Sequence, residues 1–233
     1  MIIKKSNKYK VMKTKIIVLS IMLFLSCFSY SQIIKSIGFK SGVSLSNQKW
    51  EHSLMSYGRT FNTFAGYYSV INADFIKKEN WELGIDFGFY KSCSKSEDDP
   101  YELSTQEQVG MTDIRIGFLT FSPILKLKTQ LKSFTPYLIA GPRIDYFVSR
   151  LSNDFVKGME ADINKTQFGF NIGEGILYNF NNFSIFAEYQ FFYSFTKLID
   201  KPALLASQFI SRDVIKINSH IISLGLKYHF TKN

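Results

Sequence analysis

The chain has 233 residues, with 28 Lys or Arg against 19 Asp or Glu, a formal net charge of +9, and 16% aromatic side chains. Six of the basic residues and none of the acidic ones precede residue 32, so a chain cut there keeps 22 against 19, and the high pI gives a nucleic-acid partner no support. Only two cysteines occur, Cys27 and Cys93, which excludes a disulfide framework and a Cys-based metal cluster.

Residues 1–31 read as an export signal peptide. Lys4, Lys5, Lys8, Lys10, Lys13 and Lys15 form a basic region, and Ile16 to Phe28 is an apolar run of 13 residues. Spanning a bilayer as a helix takes about 20 residues, so this run is too short to be an anchor. Ser29-Tyr30-Ser31 supplies small residues where a signal peptidase reads, and Met12 is a possible second start. A lipoprotein signal through Cys27 is the rival reading, but Phe24 stands where an aliphatic residue belongs. No later apolar run approaches helix-spanning length, so membrane insertion of residues 32–233 requires a closed barrel.

Period-two alternation then recurs along the chain. The first strand, Ser36 to Ser46, sets Ile37, Phe39, Val43 and Leu45 against Gly38, Lys40, Gly42 and Ser44. A polar stretch covers 47–61. The second strand, Asn62 to Ile76, sets Tyr67, Ile71 and Phe75 against Asn72 and Asp74. After the turn Lys77 to Asn80, the third strand, Trp81 to Lys91, opposes Trp81, Leu83, Ile85, Phe87 and Phe89 to Glu82, Gly84, Asp86, Gly88 and Tyr90. The long loop 92–111 holds Glu97, Asp98, Asp99 and Glu102. That cluster lacks the spaced Asp/Asn-Gly pattern of an EF-hand and reads as a solvated loop, so no metal or cofactor is expected.

The fourth strand, Thr112 to Lys128, is the least regular. Ile114, Ile116 and Phe118 take the apolar face opposite Arg115, Gly117 and Leu119, and a bulge or local break is expected near Pro123. The fifth, Phe134 to Ser149, alternates Leu138, Ala140, Pro142, Ile144, Tyr146 and Val148 with Tyr137, Ile139, Gly141, Arg143 and Asp145. After the loop 150–164, the sixth strand, Lys165 to Phe180, places Phe168, Phe170, Ile172, Ile176 and Tyr178 on one face. Glu174 falls on that same apolar face. A bulge at Gly173 or Gly175 that turns it inward is the favoured explanation. Asn181-Asn182 is a tight turn into the seventh strand, Phe183 to Phe195, with Glu188 and Gln190 opposite its apolar face. The loop 196–216 has a candidate helix over 203–209. The last strand, Ile217 to Phe230, opposes His220, Ile222, Leu224, Leu226, Tyr228 and Phe230 to Ser219, Ile221, Ser223, Gly225, Lys227 and His229.

Eight strands joined by alternately long and short connections imply an all-β chain, an eight-stranded antiparallel up-and-down transmembrane β-barrel. Three short turns and four long loops put both termini in the periplasm and the four loops outside the cell. Aromatic residues gather at the strand ends: Phe75, Trp81, Tyr178, Tyr228 and Phe230 towards the turns, Tyr146, Phe168, Tyr193 and Phe195 towards the loops. The opposite face collects Lys40, Asp74, Glu82, Asp86, Arg115, Arg143, Asp145, Glu188 and Lys227, charges able to pair and fill a narrow lumen. A soluble barrel of lipocalin type shows the same alternation turned inside out; the export signal, the aromatic ends and the loop asymmetry favour the membrane.

Three stretches carry a resemblance. Phe134-Thr-Pro-Tyr-Leu-Ile-Ala-Gly-Pro142, Ser122-Pro-Ile-Leu-Lys-Leu-Lys128 and Gly38 to Leu45 resemble strands of the PorT-like, porin-family outer-membrane β-barrel proteins of Gram-negative bacteria. Phe121 stands where that family typically has Glu. Ser223, Gly225, Tyr228 and Phe230 resemble the C-terminal signal read by the barrel-assembly machinery. The resemblance implies an integral barrel in outer-membrane lipid, with lipopolysaccharide in the outer leaflet. A few relatives serve in protein secretion or gliding machinery.

Three functions compete. The first is a non-enzymatic barrel with a structural or interaction role through its outer loops. The second is a small-solute channel, which inward Tyr137, Phe186 and Phe192 oppose. The third is an outer-membrane lipid-modifying enzyme or protease, which needs a His beside a nucleophile at the outer rim. His52 and His220, the latter with Ser219 and Ser194 near by topology, are its only candidates, and His229 lies at the other rim. Nothing orders them into a triad, so no catalytic residue is assigned.

Overall fold

Ten strands form in the computed structural model, which describes residues 34–52, 58–60, 62–95, 113–129, 131, 133–151, 163–200 and 213–230. They are β1 (Ser36–His52), β2 (Gly58–Thr60), β3 (Asn62–Lys77), β4 (Trp81–Lys95), β5 (Asp113–Lys128), β6 (Phe134–Leu151), β7 (Thr166–Phe180), β8 (Phe183–Ser194), β9 (Ile199–Asp200) and β10 (Asp213–His229). The order β2-β1-β3-β4-β5-β6-β7-β8-β10-β9 closes through an additional β1–β10 pairing, and every ladder is antiparallel. Eight long strands are thus the staves of a closed barrel, and β2 and β9 are short additions to it. The seam runs from Ser36 opposite His229 to His52 opposite Asp213, longer than the alternation of Ser36 to Ser46 indicates.

The faces follow the alternation. Ile37, Phe39 and Val43 are exposed on the outside, while Ser36, Lys40 and Ser44 are buried within. On β10, Ile222, Leu224, Leu226, Tyr228 and Phe230 are exposed, and Ser219, Ile221, Ser223, Lys227 and His229 are buried. Closure through the β1–β10 seam pairs each long strand on both sides, which is how a sheet satisfies its backbone groups in hydrocarbon. An apolar exterior over a charged interior is the arrangement that hydrocarbon surroundings stabilise.

The rings at the short-turn end form a chain. Phe134 and Tyr178 stand 5.1 Å apart, Tyr178 and Phe180 6.5 Å, Phe180 and Phe183 6.0 Å, Phe183 and Tyr228 5.1 Å, and Tyr228 and Phe230 5.3 Å. Phe134, Phe180 and Phe183 were not among the sequence-derived girdle residues. Asn181 takes a left-handed φ of 53° and closes the two-residue turn beneath these rings, a conformation Asn tolerates better than most residues.

Four expectations change. In β5 the alternation runs unbroken, with Leu119, Phe121, Leu125 and Leu127 outside, so Ile116 and Phe118 lie in the interior and not on the outer apolar face, and Arg115 is half-buried. The β5–β6 ladder shifts register between Gly117 and Phe118, where Val148 of β6 is the extra residue, and the local break expected at Pro123 is present. At Pro123 the ladder to β6 simply lapses: Phe121 pairs Ile144 and Leu125 pairs Ala140 in one unbroken register. Pro123 and Pro142 face each other across that gap, and neither has an N–H to donate. Ser122 Oγ donates to Pro142 O at 2.7 Å instead.

Glu174 is the second change. β7 pairs both neighbours without a shift, Leu138 opposite Glu174 and Glu174 opposite Tyr189, so no bulge turns it inward and it stays exposed on the outside. Third, β4 runs on to Lys95, β6 to Leu151, and β10 starts at Asp213, which shortens three of the long loops. Fourth, β9 stands where only loop was expected. The signal peptide 1–31, the acidic cluster 97–102 and the candidate helix 203–209 lie outside the described residues.

Candidate functional site: the ionic lumen

The lumen contains Lys40, Lys126, Lys128, Arg143 and Lys227 against Asp74, Glu82, Asp86, Asp145 and Glu188, five cations and five anions. They form three groups along the barrel. In the middle, Lys40 Nζ lies 2.5 Å from both Asp86 Oδ2 and Glu188 Oε2. Glu188 also accepts from Tyr137 Oη at 2.9 Å and Gln190 Nε2 at 2.8 Å, with Lys126 Nζ 3.3 Å away. Towards the short turns, Lys227 Nζ donates to Asp74 Oδ2 at 2.6 Å and stands 3.7 Å from Glu82 Oε2. Lys128 Nζ donates to Glu82 Oε1 at 2.8 Å, and Ser36 Oγ donates to Asp74.

Towards the long loops, Arg143 Nε lies 2.9 Å from Asp145 Oδ2, which also accepts from Tyr90 Oη at 2.9 Å. The guanidinium carbon sits 4.2 Å from the Phe192 ring centroid, and Nη2 donates to Ser194 Oγ at 3.1 Å. Each buried charge therefore meets an opposite one, the condition under which a charge persists in a low-dielectric interior.

Above Arg143 the lumen becomes apolar. Tyr68, Val70, Tyr90, Ile116, Phe118, Phe192 and Ile221 pack with Leu198, Ile199, Ile215 and Ile217. The last four come from β9, the residue before it, and the start of β10, folded across the mouth. Leu198 N donates to Ile215 O at 2.8 Å, Asn164 N donates to Leu198 O at 2.9 Å, and Ile163 bridges Ile199. The long-loop mouth is thus closed by an apolar layer and the short-turn half is ionic.

His220 stands apart from the serines that neighbour it in topology. His220 faces outward, and its Nδ1 lies 2.7 Å from Tyr189 Oη. Ser219 is inside, 2.8 Å from Ser46 Oγ, and Ser194 accepts from Arg143, so the barrel wall separates both serines from His220. His52 ends β1 opposite Asp213. His229 Nε2 stands 2.7 Å from Ser184 Oγ, which donates to Asn179 Oδ1 at 2.7 Å, and both His229 and Ser184 are buried at the short-turn end. Cys93 is buried and forms no disulfide. Among the described residues no group of His, Cys, Asp or Glu has metal-binding geometry.

Sequence reasoning placed eight of these ten lumen charges and missed Lys126 and Lys128. The signal was present, since Lys126 stands between Leu125 and Leu127, but apolar residues on both faces of β5, Ile116 and Phe118 on one and Leu119 and Phe121 on the other, hid which face was inside. Gly225, read as part of the C-terminal signal, also has a packing role. The Phe186 ring lies across it, so a Cβ there would sit 2.2 Å from Phe186 Cζ.

The barrel resembles solved outer-membrane proteins. OprG from Pseudomonas aeruginosa matches at 12% identity over 84% of this chain and 96% of that chain, with a TM-score of 0.52. The neisserial surface protein NspA matches at 17% identity over 82% and 97%, with a TM-score of 0.42. The outer membrane protease OmpT from Escherichia coli matches at 10% identity over 84% and 97%, with a TM-score of 0.40. At such identities likeness speaks for fold alone. No curated protein sequence matches at a significant level. The model of the outer membrane protein beta-barrel domain matches residues 20–230. With its closed wall, apolar exterior and paired lumen charges, the chain belongs to the outer membrane protein β-barrel domain family, and its place is integral to the outer membrane.

Proposed function

We propose that this protein is a non-enzymatic barrel whose role is structural or adhesive, exercised through its long loops. The observation that carries this reading is the interior: among the described residues, ion-paired cations and anions lie in series with an apolar cluster, a filled lumen that favours a barrel without a solute path. In the proposed orientation both termini are periplasmic and the four long loops meet the outside. The export signal is removed after Ser31. Ser223, Gly225, Tyr228 and Phe230 engage the barrel-assembly machinery, and lipopolysaccharide covers the outer leaflet around the wall.

Reconstitution in planar bilayers tests the closed lumen. The expected result is no steady conductance, and well-resolved channels would replace this reading with a small-solute porin. Protease shaving of intact cells tests the orientation, with cuts expected in the segments 96–112, 152–162 and 201–212. Cuts confined to the short turns would reverse it.

The PorT-like resemblance favours a second reading, an accessory of secretion or gliding machinery. Its two motif strands are neighbours, and Pro123 and Pro142 of those motifs oppose each other. A deletion strain with unchanged secretion and gliding would remove this reading and leave the first.

A further inference from the structure

Glu174 stands out on the lipid-facing wall. The outward residues of β7 read Phe168, Phe170, Ile172, Glu174, Ile176, Tyr178 and Phe180. The carboxylate is the middle one of the seven, with aromatic rings two positions or more away on either side, so it sits near the centre of the hydrocarbon. Among the described residues it has no hydrogen bond or ion pair. Tyr189, its cross-strand neighbour, uses its hydroxyl on His220.

The wall beside it is furrowed. A shallow, open cavity of about 620 Å³ crosses β5 to β10, and Glu174, Ile176, Ala187, Tyr189, Ile222 and Leu224 are among the residues that line it. Ala187 lies directly between Ile176 and Leu224, and its small side chain deepens the furrow there. At this depth the outward residues of β4 and β5 are Leu83, Phe87, Phe121 and Leu125, so the polar sector is confined to one side of the barrel.

We propose that this sector, β7, β8 and β10 around Glu174, is an intramembrane docking face for a second membrane-embedded chain that presents a Lys or Arg to Glu174. A carboxylate exposed to hydrocarbon is unfavourable alone, and an ion pair inside the membrane is the arrangement that retains it. The furrow supplies room for the stem of that basic side chain over Ala187. Among the described residues a second copy of this chain offers no cation at this depth: Lys49, Lys91 and Lys216 lie towards the long-loop ends of their strands, Lys165 and Lys197 beside that end, and Lys35, Lys77 and Lys78 at the short-turn end. This surface is additional to the loops and does not depend on what they contact.

The test uses the full chain in its native outer membrane. A photocrosslinking residue is placed at Ala187, with a control at Phe87 on the far side. The expected result is a discrete protein adduct from Ala187 and none from Phe87. Glu174→Leu and Glu174→Lys should lower the adduct about tenfold or more, since each removes the charge match. Both variants must keep the gel shift of a folded barrel. Glu174→Leu, which makes the face more apolar, is the variant that isolates recognition from folding. Once the crosslinked segment is identified, changing its Lys or Arg to Glu should restore the adduct with Glu174→Lys only. No adduct at Ala187, an adduct to lipid or to a second copy alone, or an adduct indifferent to both Glu174 variants would each overturn the proposal. None of those outcomes bears on the loop reading, which shaving and conductance decide.

Discussion

Lys40 is the residue on which the interior depends most. It is fully buried and neutralises Asp86 and Glu188 at once, so removing it leaves two carboxylates without their shared cation. Lys40→Met is expected to destabilise the barrel by about 3–5 kcal/mol, read as a lower urea midpoint for the folded gel form in lipid vesicles. Adding Asp86→Asn should recover most of the loss, because Glu188 keeps Lys126 at 3.3 Å and the group then holds no uncompensated charge. Gly225 offers a second test. Gly225→Ala drives a Cβ into the Phe186 ring and should cost about 1–3 kcal/mol in the same assay, with Phe186→Leu restoring it. If cells still insert the double variant poorly, Gly225 serves recognition as well as packing. Neither the Lys40 pairing nor the ring over Gly225 was legible in the sequence. Alternation assigns a residue to a face, whereas these contacts join strands far apart in the chain.

At the scale of elements, the irregularities lie in β3, in the β5–β6 ladder and in the β9 segment. β3 shifts register against β4 at Phe64/Tyr68 and Asp74/Ile76, and the β5–β6 ladder has one shift, with Val148 as the extra residue, and one proline gap. β5 itself alternates without a break, and its outward Leu119, Phe121, Leu125 and Leu127 put Ile116 and Phe118 in the interior layer, where Phe118 stacks on Tyr90 at 5.2 Å. Apolar residues on both faces between Ile114 and Phe121 leave the inward side unmarked by local pattern. β9 is two residues long and has no period to detect. Its burial comes from the mouth it covers. Replacing Leu198 and Ile199 by Asp should unseat this cap, and backbone amides of Val214 to Ile217 should then exchange roughly tenfold faster or more, while those of Ile222 to Lys227 keep their protection. Uniform loss along β10 would mean that the cap holds the whole seam and not the mouth alone.

At the scale of the molecule, closure couples all eight staves. The seam between β1 and β10 joins the ends of the chain, so the barrel has no edge from which to open strand by strand. Unfolding should therefore be cooperative, and the folded form should survive detergent at room temperature and shift on gels after boiling. Breaking the ionic groups or the apolar layer singly should not create a channel, because they lie in series. Lys40→Ala combined with Phe192→Ala and Leu198→Ala should raise conductance above either change alone, and equal effects from single variants would mean that one layer is the gate.

The sequence alone determined the architecture. Eight alternating stretches, the inward charges and the aromatic ends each follow from local periodicity, and a strand's two faces are written every second residue. It also showed Glu174 on the apolar face, and the preference for a rescuing bulge was the error: nothing local to β7 requires one. Only the tertiary structure decided which charge meets which, that Ile116 and Phe118 lie inside, that β9 covers the mouth, and that Glu174 stays on the outer wall with no partner among the described residues. Those outcomes depend on register between strands and on closure of the sheet, which arise when distant segments pair and have no counterpart in the order of neighbouring residues.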